Sequence, residues 1–208
     1  DGFDRLKKTR YPVTTAGANA SSTTDYEQLT YDANGNVTQR RLRDGNTITF
    51  AYDNLNRITS ATPNTEHAVN VQYDMLGRTT QIQRPGDGAT ITLAYDALGR
   101  LLSEGQPFGN AAFQYDAAGR LTRITWGDGF YVTCDYDVAG NVTAIRENGA
   151  TSGVGVLASY SYDNLGRRTG ITRGNGTTTS YGFDSASRLN ATTQNLAGTV
   201  HDVTIGSF

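Results

Sequence analysis

The chain has 208 residues and a formal net charge of −2, from 18 Lys+Arg against 20 Asp+Glu. That balance argues against a nucleic-acid or anionic-membrane binder, which shows a basic excess or stripe. A mean hydropathy of −0.49, with no apolar run near ~20 residues, excludes a bilayer-spanning helix, and Cys134, the only cysteine, excludes an internal disulfide framework and a Cys-rich metal site.

Read in chain order, one unit recurs: Tyr-Asp-x-x-Gly-Arg followed by an apolar residue. Asp1-Gly2-Phe3-Asp4-Arg5-Leu6 opens the series without its Tyr. Further units begin at Tyr31, Tyr52, Tyr73, Tyr95, Tyr115, Tyr136, Tyr162 and Phe183. Their aspartates fall at 1, 32, 53, 74, 96, 116, 137, 163 and 184, so the period is about 21, with longer connections at residues 11–28 and 148–157. Nine units cover residues 1–208, which predicts a single repeat array cut from a larger protein. Phe208 falls at the next Tyr position, in phase with Asp1.

Upstream of each Asp, apolar and small polar residues alternate, as in Ile48, Phe50, Tyr52 against Thr47, Thr49, Ala51. Strict period two over about six residues predicts a half-buried strand. The position two before the Tyr reads Leu29, Phe50, Val71, Leu93, Phe113, Cys134, Tyr160 and Tyr181. With Tyr31, Tyr52, Tyr73, Tyr95, Tyr115, Tyr136, Tyr162 and Phe183 it makes a two-wide apolar stripe, expected to be the core, with Tyr73, Tyr95 and Tyr115 in one buried row.

The Asp-x-x-Gly step predicts a type I turn: Asp accepts the following N–H groups at the first corner, and the fourth takes positive φ. The pairs are Asp32 and Gly35, Asp53 and Asn56, Asp74 and Gly77, Asp96 and Gly99, Asp116 and Gly119, Asp137 and Gly140, and Asp163 and Gly166. Asp4 and Ser187 hold the fourth corner in the outer units, and Ser187 is the weak member. Each unit should be a β-hairpin with a bulge. Leu121 and Ile124 differ in parity, which asks either for a bulge or for a partner on the other face. Return turns are legible at Asp44-Gly45-Asn46, Pro85-Gly86-Asp87-Gly88, Pro107-Phe108-Gly109-Asn110, Gly127-Asp128-Gly129 and Gly174-Asn175-Gly176. The expectation is an all-β antiparallel meander with helix content near nil, Phe50-to-Tyr52 pairing with Arg57-to-Thr59. A parallel β-helix with one coil per unit is the competitor.

The chemistry-bearing residues are few. His67 and His201 lie outside the repeat motifs, and Cys134 sits on the apolar stripe, so neither histidine nor the thiol is expected to act in catalysis. Asp32, Asn34 and Asn36 imitate the start of a calcium loop, but the glycine falls at 35 and not at the sixth position, and Arg43 occupies the twelfth, where a bidentate Glu is required. Turn chemistry explains them. No cofactor or metal is expected. An arginine column (Arg5, Arg57, Arg78, Arg100, Arg120, Arg167, Arg188, with Asn36 and Asn141 substituting) reads as inter-repeat Arg–Asp pairing and stacking on Tyr, or as an anion- or glycan-binding stripe. Asn-x-Ser/Thr sites at Asn19, Asn36, Asn141, Asn175 and Asn190 arise by chance in such a composition.

The unit Tyr115-Asp116-Ala117-Ala118-Gly119-Arg120-Leu121-Thr122 resembles the YD repeat of the RHS family, and nine in-phase copies make the resemblance specific. The family includes bacterial polymorphic toxin shells, the C subunits of insecticidal toxin complexes, and teneurin barrels. The resemblance implies a ribbon of hairpins curling into part of a shell, barrel or tube that is secreted or at the cell surface. It implies a non-catalytic wall that encloses or delivers a C-terminal toxin; a glycan- or protein-binding adhesin or filament module is the alternative. Implied partners are other YD-repeat segments of the same or neighbouring chains, with an enclosed toxin domain or a glycan beyond them. Nothing here matches the family's self-cleavage segment. About 18 strands at ~4.8 Å give a ribbon ~86 Å wide and, if closed, a lumen of ~17 Å. A folded domain of ~100 residues measures ~30 Å across, so this segment alone is too small a container.

Overall fold

The computed structural model describes residues 2–15 and 17–196 and the backbone of 203–206; Asp1, His201 and Phe208 lie outside the described residues. The first strands are β1 (Lys8–Pro12), β2 (Ser21–Tyr31), β3 (Val37–Arg41), β4 (Thr47–Tyr52), β5 (Ile58–Pro63) and β6 (Val69–Tyr73). They are followed by β7 (Thr79–Arg84), β8 (Ala89–Tyr95), β9 (Leu101–Gln106), β10 (Gly109–Tyr115), β11 (Leu121–Trp126) and β12 (Tyr131–Tyr136). The series ends with β13 (Val142–Glu147), β14 (Val156–Tyr162), β15 (Arg168–Arg173), β16 (Thr178–Phe183), β17 (Leu189–Asn195) and β18 (Val203–Gly206). Helical structure among the described residues is confined to two 3-10 turns, Pro85–Asp87 and Gly153–Gly155.

Contacts divide the chain into two compact units, Asp1–Tyr95 with Glu104–Phe108, and Asp96–Ser103 with Gly109–Phe208. In the first, β1 through β8 pair antiparallel in chain order. In the second, β10 through β18 do the same. Within each unit the Tyr-ended strands β2, β4, β6, β10, β12 and β14 pair antiparallel with the strand that follows them, which overturns the β-helix alternative. The longer connection at 11–28 is largely strand: β2 begins at Ser21 and pairs with β1 through Lys8–Gln28 and Arg10–Tyr26.

The hairpin register slips by one residue at the last pair before the turn. Phe113 faces Ile124 and Gln114 faces Arg123, yet Tyr115 faces Leu121, leaving Thr122 as the extra residue. That bulge resolves the parity conflict between Leu121 and Ile124. It also corrects the expected partner of Phe50-to-Tyr52, because Phe50 faces Ala61, Ala51 faces Ser60 and Tyr52 faces Ile58. A type I turn that closes with a left-handed residue forces this extra residue into the returning strand. The fourth corner has positive φ in every unit, from 57° at Asp4 to 90° at Gly35 and Gly140, and Ser187 complies at 64°.

The alternation of burial follows the sequence pattern. On β4, Ile48, Phe50 and Tyr52 are half-buried and Thr49 and Ala51 exposed; on β10, Phe113 and Tyr115 are half-buried and Ala112 and Gln114 exposed. The depth is less than expected. Among the described residues only Ala144 and Thr179 are fully buried, and Tyr73, Tyr95 and Tyr115, expected to be buried, are each half-buried. Within each unit the strands pair side by side in chain order.

Candidate functional site

The recurrent constellation is the hairpin tip and its link to the next hairpin. Asp116 shows the turn. Its backbone carbonyl accepts from Gly119 N at 3.0 Å, and its own N–H donates to Arg120 O at 2.9 Å. Its carboxylate takes the Arg120 backbone N–H on Oδ1 at 2.9 Å and Arg120 Nε on Oδ2 at 2.6 Å. Elsewhere Oδ1 takes a further N–H two residues on, as Asp53 does from Leu55 at 2.9 Å. The same Arg Nε contact, 2.6–2.8 Å, is made to Asp53, Asp74, Asp96, Asp163 and Asp184 by the arginine four residues later. Asn36 and Asn141 stand in for Arg by donating Nδ2 to Asp32 and Asp137, each at 2.9 Å. The charged pairs therefore form within a repeat, which corrects the expected inter-repeat Arg–Asp pairing. Four residues of turn bring the partners together before any neighbour is in reach.

These donors set the acidity of the turn. Donation from the Arg57 side chain, then from its backbone N–H, holds Asp53 below the usual carboxylate range. Asp137 is lowered too, first by the Asn141 side chain and then by its backbone N–H, although that partner is neutral.

The guanidinium then reaches forward. Arg120 Nη1 donates to the Asp137 backbone oxygen at 3.1 Å, and its Cζ lies 4.6 Å from the centroid of the Tyr136 ring. Tyr136 reaches back, donating its hydroxyl to Leu121 O at 2.7 Å. The pattern holds along the first unit: Arg57 lies over Tyr73 at 4.4 Å and Arg78 over Tyr95 at 4.8 Å. Tyr52, Tyr73 and Tyr95 donate to Val37 O, Ile58 O and Thr79 O at 2.8–2.9 Å. In the second unit Tyr115 and Tyr162 donate to Leu101 O and Val142 O at 2.9 Å, and Arg167 lies 4.6 Å over Phe183, which has no hydroxyl. Each cation–π contact is worth ~0.5–1 kcal/mol and each hydrogen bond ~1 kcal/mol. Sequence reasoning missed the tyrosine hydroxyl contact; the one available signal was the preference for Tyr over Phe at that position.

The remaining candidates do not converge. Cys134 is half-buried, and burial, with the neighbouring Asp135 carboxylate, pushes its thiol up. His67 Nε2 lies 3.4 Å from Asp87 on an exposed return turn. In the calcium-like segment the Asn34 and Asn36 amides donate to Asn56 Oδ1 at 3.2 and 2.7 Å, so this segment is an inter-repeat amide link. No group of three metal-ligating side chains occurs among the described residues. No described helix is long and apolar enough to cross a membrane.

Among the described residues, then, repeats are fastened to their neighbours and no metal-ligating cluster is gathered at one place. The Teneurin YD-shell family model matches residues 44–147, half of the chain, and the RHS Repeat model matches residues 136–178. The chain belongs to the teneurin YD-shell family. Among solved structures, that of TcdB2-TccC3-TEV superposes with a TM-score of 0.66 at 17% identity over 87% of this chain and 12% of that one. TcdB2-TccC3 without its hypervariable C-terminal region gives 0.66 at 18% identity over 89% and 12%. The chain thus spans about an eighth of those chains. No curated protein sequence matches it.

Proposed function

We propose that the chain is one continuous, non-catalytic stretch of wall in a large secreted or cell-surface YD-repeat protein, and that the complete wall encloses a C-terminal toxin domain. One observation carries this reading. The three side chains that define the repeat, Asp, Arg and Tyr, are spent on holding a hairpin and fastening it to the next. Arginines engaged at Nε, at Nη1 and on one face have little left for a glycan, so the column supports a wall better than a binding stripe. The family and the fold of TcdB2-TccC3 agree with it.

The test is electron microscopy of the parent protein together with protease digestion. A closed hollow particle whose C-terminal domain resists protease until the wall is opened supports the reading. An open ribbon that binds a glycan array would replace it with the adhesin reading.

A further inference from the structure

Three Asn-Gly steps occur in the chain: Asn34-Gly35, Asn148-Gly149 and Asn175-Gly176. All six residues are exposed, so exposure does not distinguish the steps. Hydrogen bonding does. Gly35 N–H donates to Asp32 O at 3.2 Å and Gly176 N–H to Arg173 O at 2.9 Å, each closing a turn. The Gly149 N–H has no partner among the described residues, because the turn there is closed one residue later, by Ala150 N–H on Glu147 O at 2.9 Å. The side chains differ as well. The Asn34 amide nitrogen donates to Asn56 Oδ1 at 3.2 Å, and Asn175 Oδ1 accepts the backbone N–H and the hydroxyl of Thr177 at 3.1 and 2.9 Å. Asn148 Oδ1 accepts one bond, from Tyr131 N–H at 3.1 Å, and its amide nitrogen makes none among the described residues.

We propose that Asn148 is a site of spontaneous deamidation, the one Asn-Gly step of the three that the fold leaves open to it. Hydroxide takes the proton from Gly149 N, whose lone pair then attacks Cγ of Asn148. The new Cγ–N bond closes a cyclic imide as the Cγ–Nδ2 bond breaks, and Nδ2 leaves as ammonia with a proton from water. Water opens the ring at Cγ to give aspartate, or at the backbone carbonyl carbon to give isoaspartate. A free N–H can lose its proton without a turn hydrogen bond having to open first. The Tyr131 N–H already donates to the oxygen on which negative charge develops in the tetrahedral intermediate. Either product adds a negative charge beside Glu147. Isoaspartate also lengthens the backbone between residues 148 and 149, which displaces Ala150 from Glu147 O where β13 ends. This inference stands apart from the wall reading and would survive its failure.

Peptide mapping of the whole chain, held folded at mildly alkaline pH, tests it. Asn148 should convert to aspartyl and isoaspartyl products at least about fivefold faster than Asn34 or Asn175. In urea, where the turn hydrogen bonds are gone, the three sites should convert at similar rates. Asn148→Gly, which suits the φ of 45° at that position, should abolish the early acidic species on isoelectric focusing with unchanged circular dichroism. Conversion of Asn34 or Asn175 in the folded chain as fast as that of Asn148, or the same preference for Asn148 in urea, overturns the proposal.

Discussion

The hydroxyl of Tyr136 donates to the backbone oxygen of Leu121 at 2.7 Å, and that oxygen belongs to the residue just after the arginine lying over the Tyr136 ring. One tyrosine thus ties two repeats together by its edge and by its face. Tyr136→Phe keeps the ring under Arg120 and removes only the hydroxyl bond. It should cost about 1 kcal/mol by urea denaturation. Tyr162→Phe should behave alike, since its hydroxyl meets Val142 O in the same way. Identical midpoints for wild type and both variants would show that the hydroxyl bond contributes nothing net.

Turn geometry gives a second expectation. Gly119 has φ 83°, and a Cβ there would meet Arg100 Nη1 at 3.7 Å, so space is not the obstacle. Gly119→Ala should cost about 1–2 kcal/mol, the left-handed penalty of an L-residue. Gly127, on a return turn and without positive φ, would set its Cβ 3.3 Å from Asn110 N, so its cost would be steric. A neutral Gly119→Ala, measured by thermal unfolding, would mean that the turn can change type.

Stability should fall in acid for a reason shared by the turns. Asp53 and Asp137 are both held below the usual carboxylate range, by Arg57 and by Asn141 respectively. A carboxyl with a lowered folded value contributes stability that is complete above its unfolded value. That contribution is lost as pH falls through the folded value. Urea midpoints should stay level from neutral pH to about pH 5 and drop below about pH 4, the range of an unperturbed Asp. Because Asp137 has a neutral partner, raising the salt concentration at neutral pH should not reproduce the loss. A midpoint that rises on acidification would contradict this account.

Replacing the arginine separates its two directions of contact. Arg120→Asn should retain a donor for Asp116, as Asn36 and Asn141 do for their own aspartates. It loses the forward bond to Asp137 O and the stacking on Tyr136. Arg120→Ala loses all three. Asn should therefore lie between wild type and Ala in unfolding free energy, with the wild type-to-Ala interval about 1–2 kcal/mol for these half-exposed contacts. Equal Asn and Ala variants would show that the turn carboxylate needs no side-chain donor.

The hairpins were legible because their determinants are local. Asp116 and Gly119 define a turn whatever surrounds them, and even Ser187, the weakest fourth corner, follows the rule at φ 64°. The bulge was half legible: Leu121 and Ile124 announced a conflict, and the register resolved it. The hydroxyl contacts were not legible, since their acceptors are backbone carbonyls such as Ile58 O, which leave no mark on the side-chain pattern. The extension of β2 back to Ser21 was hidden because Ser21 to Thr24 lack the apolar alternation of the other strands. Burial depth escaped as well. Period two at Phe50 and Tyr52 tells which face is apolar but not whether another layer lies on it.

That face supplies the last prediction. Tyr95 is half-buried, donates its hydroxyl to Thr79 O at 2.9 Å and lies 4.8 Å beneath Arg78. Deleting a fully buried aromatic side chain costs ~3–5 kcal/mol. A half-covered ring has less to lose, so Tyr95→Ala should cost about 2 kcal/mol, the sum of one hydrogen bond, one cation–π contact and partial apolar burial. Thr92, exposed on the opposite face and set across from Gln81, should tolerate Ala at well under ~1 kcal/mol. Because each repeat is fastened mainly to its neighbours, the Tyr95→Ala damage should stay local. Amides of β7 and β8 should lose hydrogen-exchange protection before those of β2 and β3 respond. Equal costs at Tyr95 and Thr92 would show that a second layer or a partner covers the Thr92 face. Uniform loss of protection from β2 to β8 would show that the unit unfolds as one body rather than repeat by repeat.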